Sequence, residues 1–175
     1  MRRDILVIGF IALLIAFLIS GTKIQSVEDY YQTHIDDITE ESETVFITIE
    51  AATVLNHWEK LSPELRSEKY VPKDGIILEK SEYVLRKGDT VFDVLKRATR
   101  HNQIHMEFQG ANESNFKSAY IQGINHLYEF SCGHLSGWMY QVNNEFPDYG
   151  VSRYKLKDKD DILMRYTCDL GRDLN

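Results

Sequence analysis

The sequence predicts one α+β domain, with a mixed sheet packed on one main helix, behind a hydrophobic N-terminal segment. Three observations lead to this prediction. The apolar residues near the start form one uninterrupted run, the rest of the chain holds strand-like segments around a single clear helix, and 175 residues leave room for one domain of ordinary size. The same length excludes an (α/β)₈ barrel, which takes about 250 residues.

The first segment is an apolar run from Ile5 to Ile19, preceded by Arg2 and Arg3. Extended to Thr22, it would form a helix of roughly 27 Å, close to the roughly 30 Å hydrocarbon core of a bilayer. The arginines favour a cytoplasmic N-terminus. We expect residues 1–22 to be an uncleaved signal-anchor, with a cleaved signal peptide and a buried core helix as the alternatives; small-residue cleavage sites near Ser20 are poor. The anchor would make this a single-pass protein of the cell membrane with its C-terminal domain extracellular.

Residues 23–43 are rich in acidic side chains, with Lys23 as the single basic residue. Apolar residues recur there at helical spacing, which predicts an amphipathic helix that continues from the anchor. The acid content instead favours a solvated, partly disordered spacer. We expect a stalk or linker without chemistry of its own, and an interaction helix is the third alternative.

Residues 44–175 form the predicted folded domain. Two segments indicate a folded α+β domain. Apolar and polar residues alternate over Thr44–Glu50, as in a strand. Thr90 and Asp93 form a capping-box pattern at the start of a helix with an apolar face. Residues 53–61 have the spacing of a short helix. The remaining predicted strands are 76–85, 104–108, 119–121, 127–130, 138–142 and 162–168.

No catalytic motif is present, and neither HExxH, a P-loop, GxGxxG nor GxSxG occurs. His101 and His105 have a metal-compatible spacing only within one helix, and Asn102 between them indicates that the helix has ended. We therefore expect neither a metal site nor an enzyme. The net charge of −7, from 20 basic and 27 acidic residues, argues against a nucleic-acid binder.

The two cysteines, Cys132 and Cys168, are predicted to form a disulfide, because an exported domain meets oxidising conditions. Two free thiols, one of them buried beneath the sheet, are the alternative.

Aromatic residues concentrate near the C-terminus. Strand alternation places Trp138 and Tyr140 on one face, and Tyr149 falls in a loop beside Pro147 and Gly150. One interpretation is that these side chains form the core between two strands. The other is an aromatic surface for a flat or sugar-like ligand. For that surface the predicted ligand-binding residues are Ser136, Gly137, Trp138, Tyr140, Asn143 and Tyr149.

A family resemblance rests on several linked motifs. They are Ser136-Gly-Trp-Met-Tyr-Gln-Val-Asn143, Pro147-x-x-Gly150, Tyr154-x-Leu-Lys-Asp-x-Asp160 and Tyr166-Thr-Cys-Asp-Leu-Gly171, with Tyr70-Val-Pro-Lys-Asp-Gly75 and Gly88-Asp-Thr-Val-Phe-Asp-Val-Leu95 upstream. Together they resemble the transcobalamin-like C-terminal domain of bacterial surface proteins. A weaker likeness of residues 83–90 to the start of a LysM repeat is set aside, because no second matching helix follows.

The resemblance implies a β-grasp-like sheet around the Thr90 helix, similar to the small lobe that covers the corrin ring in vitamin B12 carriers. The larger helical lobe of those carriers has no counterpart in this chain. Relatives often have Gly where this sequence has Asn144 and Lys159, so we expect a positive φ at both turn positions.

From these observations we expect a membrane-anchored extracellular module that binds a ligand without catalysis. The resemblance makes a corrinoid or another flat small molecule the expected ligand, and no cofactor is required. The expected partners are the membrane, through residues 5–22, and a small molecule or surface protein. The alternative function is an interaction module that binds a partner protein or a cell-wall glycan.

Overall fold

The computed structural model describes Phe10, residues 36–114 and residues 117–174. The expected signal-anchor in residues 1–22 and the first part of the stalk therefore lie, apart from Phe10, outside the described residues. Within the described residues, no helix combines the length and the apolar character needed to cross a bilayer. Residues 36–174 belong to one compact unit, which runs Tyr31–Asn175.

The described chain contains seven strands and two α-helices, with short 3₁₀ turns at Trp58–Lys60 and Pro63–Leu65. The strands are β1 (Thr44–Glu50), β2 (Ile76–Val84), β3 (Met106–Gln109), β4 (Tyr120–Ile124), β5 (Leu127–Tyr128), β6 (Gly137–Val142) and β7 (Asp161–Thr167); the helices are α1 (Ala52–Leu55) and α2 (Val91–His101). The predicted α+β class is confirmed. The single helix predicted over 53–61 is wrong, because the chain there forms α1 and then a 3₁₀ turn.

Four strands form the main sheet, in the order β2-β1-β7-β6. The central pair, β1 and β7, is parallel, and each central strand has an antiparallel neighbour at the edge. The alternation seen in the sequence of β1 places Val45, Ile47 and Ile49 on one face, where all three are fully buried. Each such side chain contributes about 1.5–3 kcal/mol through burial. The first and last strands of the domain thus lie side by side in the core.

Helix α2 crosses the sheet with Val91, Val94, Leu95 and Ala98 buried in the same core. Its N-terminus has the predicted capping box. The backbone N–H of Asp93 donates to Thr90 Oγ1 at 3.4 Å, and the backbone N–H of Thr90 donates to Asp93 Oδ2 at 3.0 Å. The box satisfies amide groups that have no partner within the helix.

A smaller sheet, in the order β3-β4-β5, follows α2. Its inner residues Ile121 and Ile124 join the main core, whereas Leu127 enters a second cluster with Cys132, Tyr166 and Cys168. Strand β5 and the end of β7 are therefore linked through this second cluster, which positions the loop between β5 and β6.

The C-terminal end of the predicted stalk contacts the domain. Asp36 forms a two-point ion pair with Arg86, with Nε–Oδ2 and Nη2–Oδ1 distances of 2.8 and 3.0 Å. The hydrogen bond from Arg86 lowers the pKa of Asp36. Residues 36–43 contain no helix.

The predicted Cys132–Cys168 disulfide is wrong for this structure, in which both cysteines are buried free thiols. The two sulfur atoms are 2.7 Å apart, whereas a disulfide bond is about 2.05 Å long. Cys132 Sγ donates to the His57 carbonyl at 3.7 Å, and Cys168 Sγ donates to Cys132 Sγ within the second cluster. That hydrogen bond lowers the pKa of Cys132 and raises the pKa of Cys168.

The two expected positive-φ turn positions are confirmed. Asn144 has φ 67° in the turn after β6, and Lys159 has φ 65° in the turn before β7. The Lys159 ammonium offsets part of the backbone cost, since Nζ donates to Thr44 Oγ1 at 2.7 Å.

Replacing Thr90 with alanine tests the helix cap. We expect Thr90→Ala to lower the free energy of unfolding by about 1 kcal/mol, because the hydroxyl that accepts from the Asp93 amide and donates to Asp93 Oδ2 at 2.6 Å is removed. Urea unfolding followed by circular dichroism measures the change. Ser81→Ala, which removes a surface hydroxyl bonded only to the Glu79 carbonyl, is the control; equal destabilisation by the two variants would contradict the role of the cap.

Candidate functional site

A cavity of about 150 Å³ opens between the end of the small sheet and the C-terminal loop. Its walls come from four segments: β4, the β5–β6 loop, the first half of β6, and the end of β7 with the residues that follow it. The lining residues are Tyr120, Glu129, Phe130, His134, Leu135, Ser136, Gly137, Trp138, Met139, Thr167 and Leu170. The cavity combines apolar side chains with a carboxylate, an imidazole and hydroxyls, as ligand sites do.

A buried pair of hydroxyl groups fixes the floor of this cavity. The hydroxyl of Tyr166, whose side chain is almost fully buried, donates to the Tyr128 carbonyl at 2.7 Å and lies 3.0 Å from Ser136 Oγ. Ser136 Oγ in turn donates to the Gly133 carbonyl at 2.8 Å and accepts from the Cys132 amide at 3.0 Å. The β5–β6 loop is thus attached to the central strand β7 through side-chain hydroxyls.

Trp138 forms part of the wall and is itself held in place. Its indole N–H donates to the Leu127 carbonyl at 2.8 Å, and its ring meets the Tyr166 ring edge-on at 5.3 Å between centroids. The side chain is half-buried, so one part belongs to the core while another borders the cavity. Such an aromatic wall is pre-organised for contact with an apolar ligand.

Phe130 and Leu170 form the rim of the cavity, and both are unusual in two respects. Their side chains are 62% and 65% exposed. Their backbones are also left-handed, with φ 68° and 49°, a conformation that costs a non-glycine residue about 1–2 kcal/mol. Hydrogen bonds to the β5–β6 loop hold both in place, from Phe130 N to Ser136 O at 3.0 Å and from Leu170 N to Leu135 O at 2.9 Å. Exposed apolar groups on strained backbone are typical of binding surfaces.

A polar pair occupies the β4 side of the cavity. The Tyr120 hydroxyl donates to Glu129 Oε2 at 2.5 Å. Partial burial, together with this bond and the charge of Glu129, raises the pKa of Tyr120 to about 12. The proton therefore stays on Tyr120 at neutral pH, and the bond orients the carboxylate of Glu129.

Of the six residues predicted to bind a ligand, the structure brings three together at this cavity: Ser136, Gly137 and Trp138. Ser136 supplies the floor hydroxyl, Gly137 starts β6, and Trp138 forms the wall. Their predicted role in binding stays a prediction, since no ligand is present.

The other three predicted residues lie elsewhere. Tyr140 is buried in the main core, where its hydroxyl donates to the Tyr149 carbonyl and its ring packs edge-on against Tyr154. The Asn143 amide bridges the ends of β6 and β7, with Nδ2 2.8 Å from Asp160 Oδ1 and Oδ1 3.0 Å from the Asp161 amide. Tyr149 is exposed outside the cavity.

Sequence reasoning missed the rim and the polar pair. Tyr120 lies in β4 and Glu129 directly follows β5, so the pairing of β4 with β5 is what places them together. For Phe130, the available signal was a large apolar residue immediately before the polar Ser131-Cys132-Gly133 turn. Among residues 36–114 and 117–174, no group of three or more His, Cys, Asp or Glu side chains is arranged to hold a metal ion.

Comparisons with known proteins place the sequence near one family. The profile of the family "Domain of unknown function (DUF4430)" matches residues 88–168, slightly less than half of the chain. This segment includes α2, the loop between β5 and β6 that lines the cavity, and all of β7. No curated protein matches the sequence significantly.

Two solved structures are similar in part. Haptocorrin in complex with Cbi shares 12% identity at a TM-score of 0.47, over 77% of this chain and 27% of haptocorrin. A proposed metal-binding protein from Ruminococcus gnavus ATCC 29149 shares 10% identity at a TM-score of 0.44, over 71% of this chain and 96% of that protein. This chain thus spans about a quarter of the length of haptocorrin.

Removing the Tyr166 hydroxyl tests the floor of the cavity. We expect Tyr166→Phe to lower the free energy of unfolding at pH 7 by about 1–2 kcal/mol, because a buried hydrogen bond is lost. Burial raises the pKa of Tyr166 to about 12. Since the folded state then holds this proton more tightly than the unfolded state, the stabilisation is complete below pH 10 and is lost as the pH rises from 10 to 12.

The wild-type protein should therefore lose about 1 kcal/mol more stability than Tyr166→Phe between pH 9 and pH 11, measured by urea unfolding. Tyr149→Phe removes an exposed hydroxyl and is the matched control, expected to change stability by less than about 0.5 kcal/mol. Identical pH profiles for wild type and Tyr166→Phe would contradict the assigned role.

Proposed function

We propose that this chain is a membrane-anchored extracellular module that binds a flat small molecule, a corrinoid being the first candidate, without catalysing a reaction. The observation that carries the proposal is the cavity with its strained apolar rim. Phe130 and Leu170 expose large apolar surface in a conformation that costs stability, and a ligand covering them would offset that cost. The resemblance to the transcobalamin-like family and the β-grasp-like order of the main sheet support the choice of ligand.

The cavity size limits how the ligand would bind. A volume of about 150 Å³ holds roughly one benzene-sized group. A corrinoid would therefore insert one substituent or ring edge beside Trp138, and the rest of its surface would lie against Phe130 and Leu170.

Titration with cyanocobalamin tests the ligand. We expect saturable binding by calorimetry, with Phe130→Ala lowering the affinity about tenfold, as truncation of a central aromatic contact does. Phe146→Ala removes an aromatic ring that is 41% exposed and does not line the cavity; this matched control should bind as the wild type does. No heat of binding at high micromolar concentration would exclude the corrinoid.

A glycine variant separates binding from folding. Phe130→Gly removes the side chain and also relieves the left-handed backbone, so we expect weaker binding together with unchanged or higher stability. If Phe130→Gly instead destabilises the domain as core truncations do, the ring is a packing residue. The interaction module would be favoured by a different result: no binding of the corrinoid, together with binding of a surface protein or a cell-wall glycan through the exposed Tyr149.

Membrane anchoring through residues 5–22 is tested by fractionation of cells that express the chain. We expect the protein in the carbonate-resistant membrane pellet and cleavage of residues 44–175 by protease added to intact cells, since the signal-anchor would orient the domain outward. Deletion of residues 1–22 is the control and should abolish both. A secreted product whose N-terminus lies near Thr22 would show a cleaved signal peptide.

A further inference from the structure

We propose that the cavity selects a ligand group that combines a planar apolar ring with a protonated amine, and that the carboxylate of Glu129 binds the ammonium group. This inference rests on the binding module of the proposed function and assigns to its cavity a chemical preference. It departs from the corrinoid named there, because cyanocobalamin carries no protonated amine at pH 7. Glu129 supplies the carboxylate in the cavity wall.

Within the part of the chain that the structure describes, one oxygen of this carboxylate accepts a side-chain hydrogen bond. Oε2 accepts the Tyr120 hydroxyl at 2.5 Å, whereas Oε1 accepts no hydrogen bond from residues 36–114 or 117–174. The Tyr120 bond orients the carboxylate and leaves a strong acceptor in a cavity that is otherwise mainly apolar. A charge-assisted bond from a ligand cation would satisfy Oε1.

The surroundings of Glu129 determine the rest of the ligand. Phe130, the next residue, carries its exposed ring at the rim, and Leu170 carries an exposed aliphatic group. Among the lining residues that the structure describes there is no lysine or arginine to compete for the carboxylate, and His134 supplies the one imidazole of that set. The match is therefore an aromatic ring of benzene size with a short cationic arm.

Three fragments that differ in one terminal group test this preference: 2-phenylethylamine, 2-phenylethanol and phenylacetate, which are cationic, neutral and anionic at pH 7. The full chain is held in lipid nanodiscs, and amide chemical shifts of Phe130 and Leu170 are followed up to about 10 mM fragment, a range suited to weak fragment binding. We expect the amine to bind about tenfold more tightly than the alcohol, and the acid to bind least.

Two variants identify the group responsible. Glu129→Gln keeps the shape but removes the charge, so the amine should lose about tenfold in affinity while the alcohol is unaffected. Tyr120→Phe removes the orienting hydroxyl but keeps the carboxylate, so the amine should remain the preferred fragment. Phe130→Ala should weaken all three fragments alike.

The outcomes separate this inference from the proposed function. Equal affinities for the three fragments, or an amine preference that survives Glu129→Gln, would overturn the assignment of Glu129 while the binding module stands. Binding of cyanocobalamin without any fragment binding would also overturn it. Absence of both would overturn the binding function itself.

Discussion

The hydrogen bonds of the Tyr166 hydroxyl are the constraint on which the candidate site depends. This hydroxyl sits on a central strand of the main sheet, and it contacts both the end of β5 and the serine that organises the following loop. Because the phenol is buried, leaving the Tyr128 carbonyl without this donor would cost more than the net value of one exposed hydrogen bond. The rigid sheet thereby dictates where the cavity floor lies.

The same loop holds the rim. The carbonyls of Ser136 and Leu135 accept the amides of Phe130 and Leu170, so two left-handed residues on separate segments are fixed by one short loop. Strain of this kind persists only where surrounding bonds over-determine the backbone. The stability of the folded core therefore offsets the backbone cost at two residues whose apolar side chains stay exposed. This arrangement is expected of a surface that a ligand covers.

Local patterns in the sequence identified much of the fold, because its main strands and its helix carry strong periodicity and caps. Thr90 and Asp93 form the predicted box, and β1, β6 and β7 lie within about a residue of their predicted bounds. The site was only half predictable. Ser136 and Trp138 stand in a recognisable motif, whereas the Tyr120–Glu129 pair depends on strand pairing. Strand alternation suggested Tyr140 as a binding residue, but the same alternation is expected of a core residue, and Tyr140 is buried in the core.

The size of the cavity has a consequence for affinity. A very small ligand gains at most about 1.5 kcal/mol of binding free energy per non-hydrogen atom, and a drug-sized ligand gains about 0.3 kcal/mol per atom. Tight binding of a larger flat molecule would therefore need contacts outside the cavity. The adjacent apolar surface is the rim, formed by the exposed side chains of Phe130 and Leu170. Loss of the rim should reduce the affinity for a large ligand more than for a fragment that fits inside, because only the large ligand covers both Phe130 and Leu170.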